Sequence, residues 1–123
     1  MKKYILVVAV ICSSCNTTKK LSKLYDKELT GRFAHLCRTN KIVINKDSTF
    51  VYQGGCSIVE YTKGFWRLSS DKKGIILTSI LLPDNNKPNQ PIDTIYLKFD
   101  SLLVKIKSKT TVEMKKELFN VSQ

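Results

Sequence analysis

From Gly31 onward the chain repeats one pattern: short runs with apolar residues at every second position, each closed by a turn signal. Period two is the spacing of a strand that buries one face, because successive side chains point to opposite sides. Gly31–Cys37 is the first strand candidate, and Lys41–Asn45 the second, with Ile42 and Ile44 on one face. The turn residues Asn45–Ser48 lead into Thr49–Gln53, whose β-branched and aromatic content suits a pleated surface. Ile58–Tyr61 runs toward Lys63–Leu68, where Trp66 and Leu68 share a face, and Ile75–Ser79 follows the turn Ser69–Gly74. Thr94–Phe99 alternates with Ile95, Leu97 and Phe99 on one side. Leu102–Lys107 and Thr111–Leu118 complete the set, the last grouping Val112, Met114 and Leu118. About eight short strands with little helix predict an all-β domain, a single antiparallel meander forming a small barrel or sandwich. The one helix candidate is short: Leu21, Leu24, Tyr25 and Leu29 recur at helical spacing. Between Pro83 and Pro91 lies a Pro- and Asn-rich loop longer than a hairpin needs.

The first fifteen residues follow a different logic. Met1-Lys2-Lys3 is positively charged, Tyr4–Ile11 is an apolar run, and small residues lead up to Cys15. That three-part layout is the layout of a secretory signal. As a helix the apolar run spans roughly 12 Å at about 1.5 Å per residue. A bilayer core is about 30 Å thick, so the run is too short to span it. Later in the chain, Ile75–Leu82 is interrupted by Thr78 and Ser79. The stretch Ile11-Cys12-Ser13-Ser14-Cys15 resembles the lipobox of bacterial lipoproteins, in which a cysteine after small residues is diacylated and becomes the new N-terminus. The resemblance implies lipidation at Cys15, with palmitate-type chains anchoring the protein in the membrane. Cys12 departs from the pattern, which favours an aliphatic residue there. Cys12 as the modified residue is opposed by bulky Ile11 directly before it, and an ordinary cleaved signal with incidental cysteines is the alternative. On this reading residues 1–14 are a signal peptide, 15–29 a lipidated tether with a short helix, and 30–119 the barrel domain. Lys19 and Lys20 in place of early acidic residues point to the outer membrane with a periplasm-facing domain.

Four cysteines sort themselves under the same reading. Cys12 leaves with the signal, Cys15 is acylated, and Cys37 and Cys56 remain as one pair in an oxidising compartment where disulfides persist. The rival use is a metal or redox site, since His35 and Cys37 lie two apart on one strand face. Against it, there is no C-x-x-C and no second histidine, a poor donor set for a transition metal. Neither a metal nor another cofactor is expected.

Charge narrows the partners. Cleavage before Cys15 removes Lys2 and Lys3 from 21 Lys and Arg, leaving 19 against 10 Asp and Glu, a net charge of +9. Such a surface favours anionic lipid or an acidic protein. Nucleic acid is not expected as a partner outside the cytoplasm, although a cytoplasmic chain of this charge would suggest it. Many of the lysines are also explained as solvated strand faces and edges that block aggregation.

A second resemblance covers about half the mature chain. Gly31 and Phe33, Ile42-Val43-Ile44, Asp47–Phe50 with Tyr52, Gly64 with Trp66, and Ile75–Ser79 together resemble small Bacteroidetes-type envelope lipoproteins. In particular they look like the first half of lipocalin-like and copper-resistance-lipoprotein-like barrels. The copper-resistance type carries a C-x-x-C where this chain has Cys37-Arg38-Thr39-Asn40, so a metal role is not carried over.

No enzyme is expected. His35 with Cys37 is the sole nucleophile–base pair in view, and no Ser-His-Asp spacing, phosphate loop or zinc motif occurs. The expectation is therefore a membrane-tethered envelope lipoprotein acting as a non-catalytic interaction or structural module. The alternative is a lipocalin-like binder of a small apolar or amphipathic ligand, lined by Phe50, Tyr52, Trp66, Ile95, Leu97 and Phe99. A filled interior favours the first and a hollow one the second.

Overall fold

The computed structural model describes residues 16–31, 40–82 and 94–121. The expected signal segment, Cys15, Phe33–Cys37 with His35, and the Pro83–Pro91 loop lie outside the described residues. A helix, α1, covers residues 16–24. Among the described residues nine strands follow: β1 (Glu28–Gly31), β2 (Lys41–Ile44), β3 (Thr49–Gly55), β4 (Val59–Leu68), β5 (Gly74–Ser79), β6 (Thr94–Tyr96), β7 (Leu102–Ile106), β8 (Thr111–Met114) and β9 (Glu117–Val121).

Eight of the strands form a closed antiparallel barrel. The order runs β3-β2-β1-β9-β8-β7-β5-β4, and β4 pairs back onto β3 to complete the ring. Closure is made by the longest strand. β4 pairs β3 from Thr49↔Phe65 to Gly55↔Val59 and β5 from Gly64↔Ser79 to Leu68↔Ile75. Gly64 is required where these strands cross, because a Cβ there would lie 2.0 Å from the Thr78 carbonyl oxygen. β6 stands outside the ring and pairs parallel to β4, Val59↔Thr94 through Tyr61↔Tyr96. It covers the part of the β4 edge that β5 does not reach, which shields open backbone groups from another chain.

The period-two reading fixes the inside. Ile42, Ile44, Phe50, Ile75, Leu77, Val104 and Val112 are all fully buried. To them α1 adds Leu21 and Leu24, 1% and 0% exposed. The turn after α1 is tied to the β2 end by the Asp26 amide, which donates to the Ile44 carbonyl at 2.8 Å. α1 therefore covers one end of the barrel.

Four sequence expectations are corrected by tertiary packing. The short helix expected around Leu21 and Leu24 also takes in residues 16–20, expected as tether, because burial of the two leucines holds it on the barrel. Leu29, expected on that helix, belongs to β1, where it pairs with Ile42 and Val121. The strand expected over Thr94–Phe99 ends at Tyr96, and Phe99 turns into the core instead. The strand expected over Thr111–Leu118 is a hairpin. Lys115 and Lys116, at φ 51° and 65°, form its two-residue turn, Met114 pairs with Glu117, and Phe119 rather than Leu118 is buried. Positive φ at both central positions matches the twist of a type I′ turn.

Candidate functional site

The six expected lining residues separate into three places. Phe50, Tyr52 and Phe99 meet inside the barrel: the Phe50 and Phe99 rings stack at 6.1 Å, and Tyr52 meets Phe99 at 5.4 Å. All three are buried, Tyr52 most exposed at 6%. Aromatic pairs at these separations pack as core, and each ring fills space a ligand would need. Lys115 sets its Nζ 5.2 Å from the centre of the Phe99 ring, a cation over an aromatic face.

Trp66 lies apart from that cluster. Its ring stacks on Tyr25 at 5.9 Å and its Nε1–H donates to the Asn45 carbonyl at 2.9 Å, which joins β4 to the turn after α1 and to the β2–β3 turn. Burial raises the Tyr25 phenol pKa above its ordinary value. Ile95 and Leu97 sit on the opposite rim, both half-buried. Leu97 lines a groove of about 340 Å³ with Ile80, Leu82 and Tyr96. Ile95 lines a separate depression of about 290 Å³ beside Gly55, Cys56 and Ile58.

Polar groups pin this rim to the wall. Thr62, fully buried, shares a 2.6 Å hydrogen bond with Ser79, whose Oγ also accepts the Phe99 amide at 2.8 Å. The returning segment is thereby locked with Phe99 pointing inward. Asn40 donates from Nδ2 to Glu117 Oε2 at 3.3 Å, while Asn40 Oδ1 and Glu117 Oε1 are buried without a hydrogen-bond partner. No group of three or more His, Cys, Asp or Glu able to hold a metal occurs among the described residues. Among the same residues, no helix is long and apolar enough to cross a membrane.

One constellation escapes strand-by-strand reading. In an antiparallel ring alternate turns fall at the same end, so α1, the β2–β3 turn, the β4–β5 turn and the β7–β8 turn lie together. They carry Lys19, Lys20, Lys23 and Lys27, then Lys46, then Lys72 and Lys73, then Lys107 and Lys109. Against these nine lysines stand Asp26, Asp47 and Asp71. Each aspartate holds a turn: Asp26 accepts the Lys46 amide, Asp47 accepts the Thr49 amide, and Asp71 accepts the Ser69 hydroxyl and the Lys73 amide. The Ser69 hydroxyl, and after it the Lys73 amide, lowers the Asp71 carboxyl below its ordinary value. Beside α1 these elements enclose an open groove of about 600 Å³, with Lys20, Lys73, Lys105 and Lys107 around exposed Leu103. The sequence signal for this face was the charge of successive turns, legible only once ring parity assigns each turn to an end.

The fold defines a class, a closed eight-stranded antiparallel barrel with a helix across one end. Comparison with protein-family models, curated proteins and solved structures finds no match for the chain.

Proposed function

We propose that the chain is an envelope lipoprotein, cleaved before Cys15 and acylated there, whose barrel serves as a non-catalytic interaction or structural module. The observation that carries the choice of module over carrier is the packed interior. Phe50, Tyr52 and Phe99, which would line a ligand cavity, stack on one another and are buried. Acylation at Cys15 is supported by the layout of the first fifteen residues, with small residues leading up to the cysteine. A lipid at that position tethers the barrel by the end that α1 covers. Cys37 and Cys56 are assigned to one disulfide as the two cysteines left after cleavage and acylation; Cys37 lies outside the described residues.

The second reading is a binder of an amphipathic ligand, and one observation favours it: the groove beside Ile80, Leu82 and Leu97 on the rim away from α1. On that reading the ligand sits at the mouth and not in the interior.

Native mass spectrometry of the protein extracted gently from its own membranes tests both. The expected result is a chain beginning at acylated Cys15, two hydrogens lighter for the bridge, flying without bound ligand. An unmodified chain beginning at Met1 overturns the lipoprotein reading. A non-covalent mass that survives until the gas-phase energy is raised replaces the module with the carrier.

A further inference from the structure

We propose that the α1 end of the barrel is a membrane-apposed face, and that the groove beside α1 receives the phosphate of an anionic phospholipid headgroup. The inference rests on acylation at Cys15 and names the partner surface that this tether would present.

Three observations converge on it. The first is position: Asn16 and Thr17, next to Cys15 in the chain, line the groove. Lys20 is one helical turn further, about 6 Å along the axis from Asn16. Acyl chains on Cys15 therefore bring the groove to the headgroup layer without any rearrangement of the barrel.

The second is charge. Nine lysines against three aspartates leave this end with six surplus positive charges, contributed by α1 and three separate turns. The three carboxylates are occupied with backbone amides and hydroxyls, Asp47 and Asp71 within their own turns and Asp26 with the Lys46 amide of the β2–β3 turn. In the groove itself only Lys107 forms an ion pair among the described residues, with Glu113 at 3.4 Å. A basic face held against an anionic leaflet lies within a screening length of roughly 8 Å, where such attraction is strongest.

The third is the apolar contact. Leu103, 40% exposed, stands among Lys20, Lys73 and Lys105 in the groove wall. Asp71 also lines the groove, its carboxylate held by the Ser69 hydroxyl and the Lys73 amide, and four lysines outnumber it there. An apolar patch beside long cationic side chains matches a headgroup, with phosphate meeting the ammonium groups and the glycerol region meeting Leu103. An acidic protein would satisfy the charge alone and has no claim on the position next to the tether.

The test is lysine acetylation footprinting of the full acylated protein, reconstituted into phosphatidylcholine vesicles or into mixed phosphatidylcholine–phosphatidylglycerol vesicles. The mass of the N-terminal peptide is read first. If Cys15 carries no lipid, the underlying reading fails before this proposal is reached. With Cys15 acylated, Lys20, Lys73 and Lys105 are expected to label several-fold more slowly in the anionic vesicles, while Lys63, Lys98 and Lys116 label equally in both. High salt should erase the difference, and K73Q/K105Q should restore Lys20 labelling to its rate in neutral vesicles. Equal labelling in the two vesicles overturns the proposal and leaves the lipoprotein reading intact. Equal protection in both assigns the contact to the tether alone and overturns the headgroup site. Protection that appears only when soluble envelope proteins are added overturns it in favour of an acidic protein partner.

Discussion

Phe99 illustrates how one side chain decides between a hollow barrel and a filled one. It lies outside any strand, yet its ring is 5% exposed and meets both Phe50 and Tyr52. Phe99→Ala is expected to cost about 3–5 kcal/mol, the range for removing a buried aromatic, read as a lower midpoint in urea unfolding. The same variant should open a site for a small apolar probe that the wild type excludes. Lys115 and Lys116 carry the opposite signature, since both hold positive φ without being Gly, Asn or Asp. Replacing them by Asn and Gly should stabilise the barrel by about 1 kcal/mol, less the small contribution of Lys115 over the Phe99 ring. A thermal midpoint unchanged or lowered would show that the lysine contact outweighs the backbone strain. At Asp71 the prediction concerns pH. Its carboxyl is lowered from 3.8 in the folded chain, so its support of the β4–β5 turn is complete above the unfolded value. That support is lost as pH falls through the lower folded value. Asp71→Asn keeps an acceptor but does not titrate, and its thermal midpoint should therefore fall less steeply than the wild type's on acidification between the unfolded and the folded value.

At the scale of elements, β6 is the strand whose partner no alternation rule anticipates. Thr94–Tyr96 pairs parallel to β4 and caps an edge at Val59–Tyr61 that β5 leaves uncovered. Ile95→Pro removes a backbone donor and the conformational freedom that this pairing uses. The expected outcome is a barrel that stays folded by circular dichroism but self-associates on size exclusion, because an uncovered edge templates pairing. A monomeric variant would show that the β4 edge is protected by other means. α1 shows the same dependence on neighbours. Its sequence is polar and basic apart from Leu21 and Leu24, and a helix of its length is marginal alone. Both leucines are buried in the barrel, and this burial stabilises the expected helix and its extension over residues 16–20.

For the whole molecule, the wall closes on one packed core, and the proposed Cys37–Cys56 bridge would restrain its unfolded chain. A loop of this length gives roughly 3 kcal/mol in the chain-entropy model. Treatment with a reductant should therefore lower the unfolding midpoint measurably while leaving the strand content of the native state unchanged. An unaltered midpoint argues against the pairing.

The sequence by itself determined what local chemistry can determine. Alternation at Ile42 and Ile44, at Phe50 and Tyr52, and at Ile75 and Leu77 assigned the buried face of β2, β3 and β5, because side-chain direction in a strand is fixed by the backbone. Turn residues at Asn45–Ser48 and Ser69–Lys73 marked the breaks between strands for the same local reason. Tertiary structure alone decided which elements share an end, which residue of Leu118 and Phe119 faces inward, and whether Phe99 lines a cavity or fills it. Those outcomes depend on ring closure between β1 and β9, a contact between segments far apart in the chain that no local pattern encodes. The basic face follows from the same closure. Each lysine could be read along the chain, but only the parity of an antiparallel barrel gathers those of α1 and three turns onto one end.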